Sequence, residues 1–231
     1  MTKNLFQDQT KKLWHLWDCR PCNKNQDGHL IETREKILIA AFEEIYEHGY
    51  QAASLSNILK NTGATKGALY HHFKNKKELG YAVLDEVVCE SYRDSWITPL
   101  EDVDDPITVI KELLVQHEKM MTQEDIRRGC PLHNLAQEMS PIDDDFRERI
   151  SKAYVDWQAA IENAFERGIK AGNVTPSIDS KSLSLLFVAT LEGCMGMAKT
   201  TQNLSTLSCC GEALIERIET LHPKSKISSE T

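Results

Sequence analysis

The chain has 231 residues, of which 41% are hydrophobic and 27% are charged, and this composition is ordinary for a globular protein. No apolar run approaches the 18 residues that a transmembrane helix needs, and residues 1–30 lack the apolar core of a secretory signal. We therefore expect neither a membrane span nor export. The seven cysteines are then expected to be reduced thiols in the cytoplasm.

The net charge of −8 argues against a nucleic-acid partner, but the charge is unevenly distributed. It is about +3 over the first 80 residues and −11 over the rest, and five lysines with no acidic residue lie between Lys60 and Lys77. A basic face on one small module of an acidic protein favours a polyanion partner for that module. The alternative is a solvated helix surface, and charge alone leaves this alternative open.

Residues 1–31 differ from the rest and are predicted to form a flexible tail without a function of its own. The tail contains a CxxC pair, Cys19 and Cys22, but no second CxxC or paired histidines follow it. This spacing supports no zinc site, and a redox motif would need a βαβ context that the neighbouring residues lack.

Apolar residues recur at helical spacing through most of residues 33–97. The pattern predicts a helix over residues 33–48, a short one over 54–62, a third over 65–73 and a fourth from about Lys76 to Trp96. Glycine, asparagine and proline residues separate these segments.

The second half of the chain is also predicted to be helical. The segments run from Pro106 to about Met121, from Gly129 to Met139, from about 143 to 172, from about Ser180 to Thr201 and from about Leu207 to Leu221. The helix over 180–201 is apolar nearly all round, so we expect it to be buried on two sides. No segment has a convincing strand pattern, and the fold class is therefore all-α.

The two short helices form a helix-turn-helix candidate, in which Gly63 lets the chain reverse. The second of them begins with a hydroxyl, a cation and a bare backbone at Thr65-Lys66-Gly67, which suits contact with phosphate or a groove. Tyr70 lies on the same side as Lys66, whereas Phe73 lies on the other. One face of this helix can therefore pack inward while the other enters a major groove.

Residues 33–79 resemble the DNA-binding domain of the TetR/AcrR transcriptional regulators. The match follows the family pattern in order and spacing through Gly49-Tyr50, residues 54–58, residues 63–76 and Leu79. The resemblance implies an N-terminal three-helix helix-turn-helix domain and a larger C-terminal helical domain that binds a ligand and dimerises through its last two helices. The implied division is 1–31 for the tail, 32–79 for DNA binding, 80–222 for ligand binding and dimerisation, and 223–231 for a disordered tail.

The resemblance also implies which side chains meet double-stranded operator DNA. The family's phosphate contacts, recognition-helix cap and groove-facing positions fall on Ser54, Ser56, Thr65, Lys66, Gly67, Tyr70, His71, His72 and Lys76. His71 departs from the aromatic residue that the family often has there. For Tyr70 the alternative is plain core packing, which is the reading we adopt for Phe73.

The family places a small-molecule pocket within the C-terminal helices, and effector binding changes the spacing of the two recognition helices in the dimer. Successive major grooves require a spacing of about 34–36 Å. The candidate pocket residues here are Trp96, His117, Met120, Met121, Cys130, His133, Trp157, Phe187 and Met195. Ordinary core packing is the alternative for each of them.

Residues 127–135 resemble the Gly-Cys-Pro/Leu segment of a subgroup that includes NemR-like repressors, in which this cysteine is a sensing thiol. Cys130 would lie at a helix start, near two arginines and close to His133, and each of these features favours a reactive thiolate. The alternative is a small buried hydrophobic residue. Cys209 and Cys210 are expected to be structural, or to cross-link at a dimer interface.

An enzyme is the rival class, but the chain has no P-loop, GxGxxG, GxSxG or HExxH motif. No cofactor or metal site is predicted. The sequence therefore predicts a cytoplasmic, homodimeric, DNA-binding transcriptional regulator, most simply a repressor released by a small-molecule effector or by thiol modification. The alternative is a protein-binding regulator on the same scaffold that has lost DNA binding.

Overall fold

The computed structural model describes residues 32–223. The predictions made for the tails, including the Cys19 and Cys22 pair, lie outside the described residues. Within 32–223 every regular element is a helix, which confirms the all-α fold class. The described residues divide into two compact units. The first consists of 32–94 and Pro131–Ser151, and the second consists of Ser95–Cys130 and 152–223. The functional boundary at residue 79 stays a prediction.

The described part of the first unit starts with one helix of 16 residues, α1 (Thr33–His48). Three short helices follow: α2 (Leu55–Thr62), α3 (Lys66–His72) and α4 (Lys76–Val83). Their starts are set locally, because the side chains at the N-caps of α2, α3 and α4 accept hydrogen bonds from backbone N–H groups three residues on. Gly63 ends α2 with φ +66°, a left-handed conformation that glycine adopts without strain.

The chain stays helical beyond α4 but changes its winding. Two π-helical stretches, Leu84–Cys89 and Arg93–Ile97, flank the single α-helical turn α5 (Glu90–Tyr92), and a 3₁₀ turn follows at Thr98–Leu100. The predicted fourth helix is thus helical along its whole length, although much of it is wound more widely than an α-helix.

The later helices range from 6 to 28 residues. They are α6 (Pro106–Met120), α7 (Gln123–Arg128), α8 (Pro131–Met139), α9 (Asp144–Ala171), α10 (Ser180–Thr201) and α11 (Leu204–Glu219). The prediction of one helix in this region over 129–139 missed α7. A capping box between Thr122 and Asp125 starts α7, and Gly129, with φ +75°, separates it from α8.

In the second unit α10 and α11 pack against each other and are joined by a disulfide between Cys194 and Cys210. The expectation of reduced thiols is wrong for these two residues, and Cys210 has a structural role through its bond to Cys194. The physical reason is that the pairing of the two helices brings the two Cα atoms to 6.2 Å, within the range that a disulfide spans.

One face of α10 remains open. Leu185 and Leu186 are each 56% exposed and Met197 is 60% exposed, so this chain by itself buries α10 less than its composition predicts. By length and composition alone, α10 is the helix within residues 32–223 that could cross a membrane. It also carries a buried carboxylate, Glu192, which forms part of the site described below.

Candidate nucleic-acid interface and effector site

Helix α3 has one buried and one exposed face. Leu69 and Phe73 are buried, whereas Lys66, Gly67 and Tyr70 are exposed, Tyr70 to 44% of its surface. The hydroxyl of Thr65 accepts the backbone N–H of Ala68 at 3.1 Å, so Thr65 caps α3 as predicted. The start of α3 therefore presents polar groups outward on a helix that is anchored from the opposite side.

The exposed side chains of α3 are arranged in contact with one another. The Lys66 ammonium lies 5.9 Å from the centre of the Tyr70 ring, a cation–π arrangement that holds both groups on the same side. His71 and His72 are also exposed, and their ring centres lie 5.1 Å apart. The outward face thus combines a cation, a phenol and two imidazoles, all of which can donate hydrogen bonds to phosphate or to base edges.

At the start of α2, the two serines have different roles in the fold. Ser56 is exposed. The hydroxyl of Ser54 accepts the Asn57 N–H at 3.4 Å, and the Ser54 N–H donates to Oε1 of Glu44 at 2.9 Å. Glu44 is itself buried and also accepts from the Asn57 side chain at 3.0 Å. Ser54 is thus fixed by the fold, while Ser56 is open to a partner.

The five lysines between Lys60 and Lys77 fall into two groups in the structure, those bonded within the fold and those left exposed. The Lys76 ammonium donates to the carbonyl of Gln51 at 2.9 Å, and burial lowers the pKa of Lys76. Lys77 pairs with Asp143 at 3.0 Å, and hydrogen bonds to Tyr81 and Asp143 raise its pKa. Both lysines therefore make bonds within the fold, including Lys76, which was predicted to contact DNA.

Lys60, Lys66 and Lys74 remain exposed. Lys60 and Lys74 were missing from the predicted contact residues, although the run of lysines without acids contains both of them. Three exposed cations around α2 and α3 give this part of the first unit the basic surface that the charge distribution indicated.

In the second unit, four of the candidate pocket residues come together. The ring of Trp96 stacks on His117 at 4.2 Å between centres and lies 5.4 Å from Trp157 and 6.5 Å from Phe187. Nδ1 of His117 lies 2.8 Å from the carbonyl oxygen of Leu113. Burial lowers the pKa of His117 to about 4, so this imidazole is neutral at physiological pH and Nδ1–H is the donor. We call Trp96, His117, Trp157 and Phe187 the aromatic cluster.

Cys130 has a different environment from the one predicted. The thiol is 5% exposed and donates to Oε1 of Glu192, 6% exposed, at 3.4 Å. Burial raises the pKa of Glu192 to about 7. Burial also raises the pKa of Tyr154, with Glu192 contributing, and lowers that of Lys199. The predicted setting was electropositive, but the group that accepts the hydrogen bond from the thiol is a carboxylate.

The other predicted pocket residues differ in their burial and in the unit to which they belong. Met120 is exposed, Met121 and Met195 are half-buried, and His133 belongs to the first unit. Sequence reasoning missed Glu192, although an acidic residue in the middle of an apolar helix was a usable signal. In residues 32–223, no His, Cys, Asp and Glu side chains gather in a group of three that could hold a metal ion.

Comparison with known proteins agrees with both parts of this description. Residues 37–83 match the family of bacterial regulatory proteins called tetR, and residues 106–210 match the tetracyclin repressor-like C-terminal domain. A helix-turn-helix transcriptional regulator encoded in the lacX 3' region of Lactococcus lactis is 31% identical over 181 residues, covering 78% of this chain and 89% of the relative.

Solved structures show the same fold. The regulatory protein TetR from Rhodobacter sphaeroides aligns with a TM-score of 0.70 at 25% identity, over 80% of this chain and 97% of that one. The reduced form of Escherichia coli NemR aligns with a TM-score of 0.71 over 85% of this chain and 100% of that one. Its identity of 20% shows the fold alone, and membership of the NemR-like subgroup stays a prediction. The chain belongs to the TetR family and is a helix-turn-helix transcriptional regulator, not an enzyme.

Proposed function

We propose that this protein is a homodimeric repressor that acts in the cytoplasm and reads its operator through the outward face of α3. The observation that carries the proposal is the division of α3, which buries Leu69 and Phe73 and exposes Lys66, Gly67 and Tyr70. Gly67 lets the backbone approach the bases closely, and the flanking side chains supply the polar contacts. Ser54, Ser56, Thr65, His71 and His72 are assigned to the same interface.

Phosphate attraction is assigned to the exposed lysines. Lys60, Lys66 and Lys74 can each neutralise a phosphate and release a counterion, whereas Lys76 and Lys77 are held within the fold. The acidic remainder of the chain repels DNA, so the basic surface also determines which side of the protein approaches the duplex.

The second copy is proposed to pack on α10 and α11. Leu185, Leu186 and Met197 form an exposed apolar stripe on a helix whose other side is buried. Burial of such a stripe against its own copy, with the two-fold symmetry common to soluble dimers, removes apolar surface from water. A dimer also supplies the second recognition helix that a two-half-site operator requires.

Release from DNA is assigned to a small molecule that inserts at the aromatic cluster, or to modification of Cys130. The non-covalent route is favoured, because four aromatic side chains meet there in a buried environment that suits a flat, largely apolar ligand. The thiol route is weakened by the burial of Cys130, whose thiol is hydrogen-bonded to the buried side chain of Glu192.

The test is a fluorescence anisotropy titration of reduced protein with a duplex selected by the protein from a random library, repeated after alkylation with N-ethylmaleimide. We expect tight, salt-sensitive binding that alkylation leaves intact. Loss of binding on alkylation, with binding retained in an alkylated Cys130→Ser variant, would establish the thiol route instead. Failure to select any sequence would favour the alternative of a protein-binding regulator without DNA binding.

A further inference from the structure

The turn between α1 and α2 is held by a carboxylate from another helix of the first unit. Oε2 of Glu138, near the end of α8, accepts the backbone N–H of Tyr50 at 2.8 Å. Oε1 accepts the N–H of Gln51, also at 2.8 Å. One carboxylate thus binds two consecutive amides, which gives two charge-assisted hydrogen bonds with fixed relative geometry.

The backbone before this turn is shaped to admit the carboxylate. Gly49 has φ +82°, a conformation that favours glycine, and a Cβ atom there would lie 3.0 Å from Oε2 of Glu138. A larger residue at position 49 would therefore be strained and would also crowd the carboxylate. Glycine at this position is needed both for the turn and for the approach of Glu138.

Two further contacts hold the same turn, one a hydrogen bond and the other aromatic packing. The Gln51 carbonyl accepts the Lys76 ammonium at 2.9 Å, so this residue is bonded through both its N–H and its C=O. The Tyr50 ring packs edge-on against Phe146, with 4.8 Å between the ring centres. The ring also lies so close to Gly80 that a Cβ atom there would collide with it. Polar bonds and close packing together leave the turn little freedom.

The placement of the turn decides where the helix-turn-helix lies. α2 begins at Leu55, four residues after Gln51, and the N–H of Ser54 is bound by Glu44 of α1. The direction in which α2 leaves α1 is therefore set by residues 49–54. α3 follows α2 after a three-residue connection, so a shift of the turn moves both helices of the proposed DNA-binding surface.

We propose that Glu138 is a positioning residue for DNA binding, and that its carboxylate holds the α1–α2 turn in the geometry that lets α3 enter the major groove. The inference rests on the proposed function. Glu138 acts through the backbone of Tyr50 and Gln51, whose N–H groups its two carboxylate oxygens accept. α8 is thereby the helix that sets the placement of the DNA-binding helices within the first unit.

If Glu138 were only a surface charge, replacing it would change the affinity for DNA in the opposite direction. Removal of an acidic group from the DNA-binding unit would reduce its repulsion of phosphate and strengthen binding. Loss of the positioning bonds would weaken binding to a specific site. The direction of the change therefore separates the two roles.

The experiment compares Glu138→Gln and Glu138→Asp with wild type and with Glu148→Gln, an exposed glutamate of α9 in the same unit. Gln places an amide donor against one backbone N–H, whereas Asp keeps the charge but is too short to reach both amides. The probes are a duplex selected by wild-type protein from a random library and a scrambled duplex of the same composition, titrated across a salt series.

We expect both Glu138 variants to bind the selected duplex about five- to tenfold more weakly, as the loss of one charge-assisted bond allows. Binding to the scrambled duplex and the salt slope should be unchanged, because no phosphate contact is removed. Glu148→Gln should bind as wild type does, or slightly more tightly. Amide hydrogen exchange at Tyr50 and Gln51 should accelerate in the Glu138 variants alone.

Three results would overturn the inference. Unchanged or tighter binding by Glu138→Asp would show that the carboxylate does not position the turn. Equal losses on both duplexes would indicate a smaller folded fraction rather than altered geometry, as would a global increase in amide exchange. If wild-type protein itself prefers no sequence, the proposed function fails, and that outcome is distinct because it precedes any variant.

Discussion

The Cys130 thiol donates its hydrogen bond to the carboxylate of Glu192, and both side chains are more than nine-tenths buried. A carboxylate in such a place is favoured in its protonated form, because water no longer solvates the charge, and its pKa accordingly rises to about 7. Glu192 therefore gains or loses its proton near neutral pH. The free energy of unfolding should change with pH in the same range.

Replacement of Glu192 by Gln should stabilise the protein at alkaline pH. The folded pKa of about 7 lies above the ordinary 4.5, so the folded state holds its proton more tightly and loses stability as pH rises between these values. The penalty is fully present above pH 7. We expect Glu192→Gln to gain about 3 kcal/mol at pH 8 and little at pH 4.5, measured by urea unfolding. Equal stability of the two proteins at pH 8 would contradict the prediction.

Replacement of His117 by Phe should remove a loss of stability in acid. The pKa of His117 is lowered from 6.5 to about 4, so its contribution is complete above pH 6.5 and is lost as pH falls toward 4. This slope opposes that of Glu192 over nearly the same range. On acidification we expect His117→Phe to gain stability and Glu192→Gln to lose it, while wild type changes less than either. Parallel curves of unfolding free energy against pH for the three proteins would contradict this.

Substitution of Lys66 by Ala should reduce the salt dependence of DNA binding. Lys66 is exposed at the start of α3, so its removal should lower the slope of log affinity against log salt by about 0.9. Lys77→Ala is the matched control, because Lys77 pairs with Asp143 and Asp145 and should leave the slope nearly unchanged. Equal slopes for the two variants would remove the distinction drawn between these lysines.

Introduction of a charge at Leu186 should dissociate the proposed dimer. Leu186 is 56% exposed on α10, and a glutamate there would have to be desolvated in the proposed interface. Sedimentation velocity should show Leu186→Glu as a monomer. Ile142→Glu tests charge alone, since Ile142 is equally exposed but lies outside α10 and α11, and it should remain dimeric.

Loss of the disulfide should destabilise the second unit. The bond between Cys194 and Cys210 closes a loop of 16 residues, for which the chain-entropy estimate is about 3 kcal/mol. Cys194→Ser should lower the unfolding midpoint in urea, and dithiothreitol should lower that of wild type but not of the variant. Cys209→Ser, which changes an exposed free cysteine, should behave as wild type does.

The features that could be read from the sequence are those with local causes. The starts of α2 and α3 were predicted because Ser54 and Thr65 bond to backbone groups three residues away, and Gly63 marks the turn between them. α7 was missed because six residues are too few for a periodic pattern, and only the Thr122–Asp125 capping box identifies it.

The features that could not be read depend on residues distant in the chain. Lys76 and Lys66 look alike in the sequence, yet Lys76 is bonded to the carbonyl of Gln51, 25 residues away. Glu192 and Cys130 are separated by 62 residues, and no spacing rule predicts that they meet. The exposed face of α3 was predictable because burial of Leu69 and Phe73 follows from helical periodicity.

The disulfide between α10 and α11 has a further consequence for limited proteolysis. Its two cysteines lie on either side of the connection at Gln202 and Asn203, where both residues are exposed and α11 has not yet begun. A protease that cuts this connection would leave the last helix covalently attached. The nicked protein should migrate as one band on a non-reducing gel and lose a fragment of about 3 kDa only after reduction.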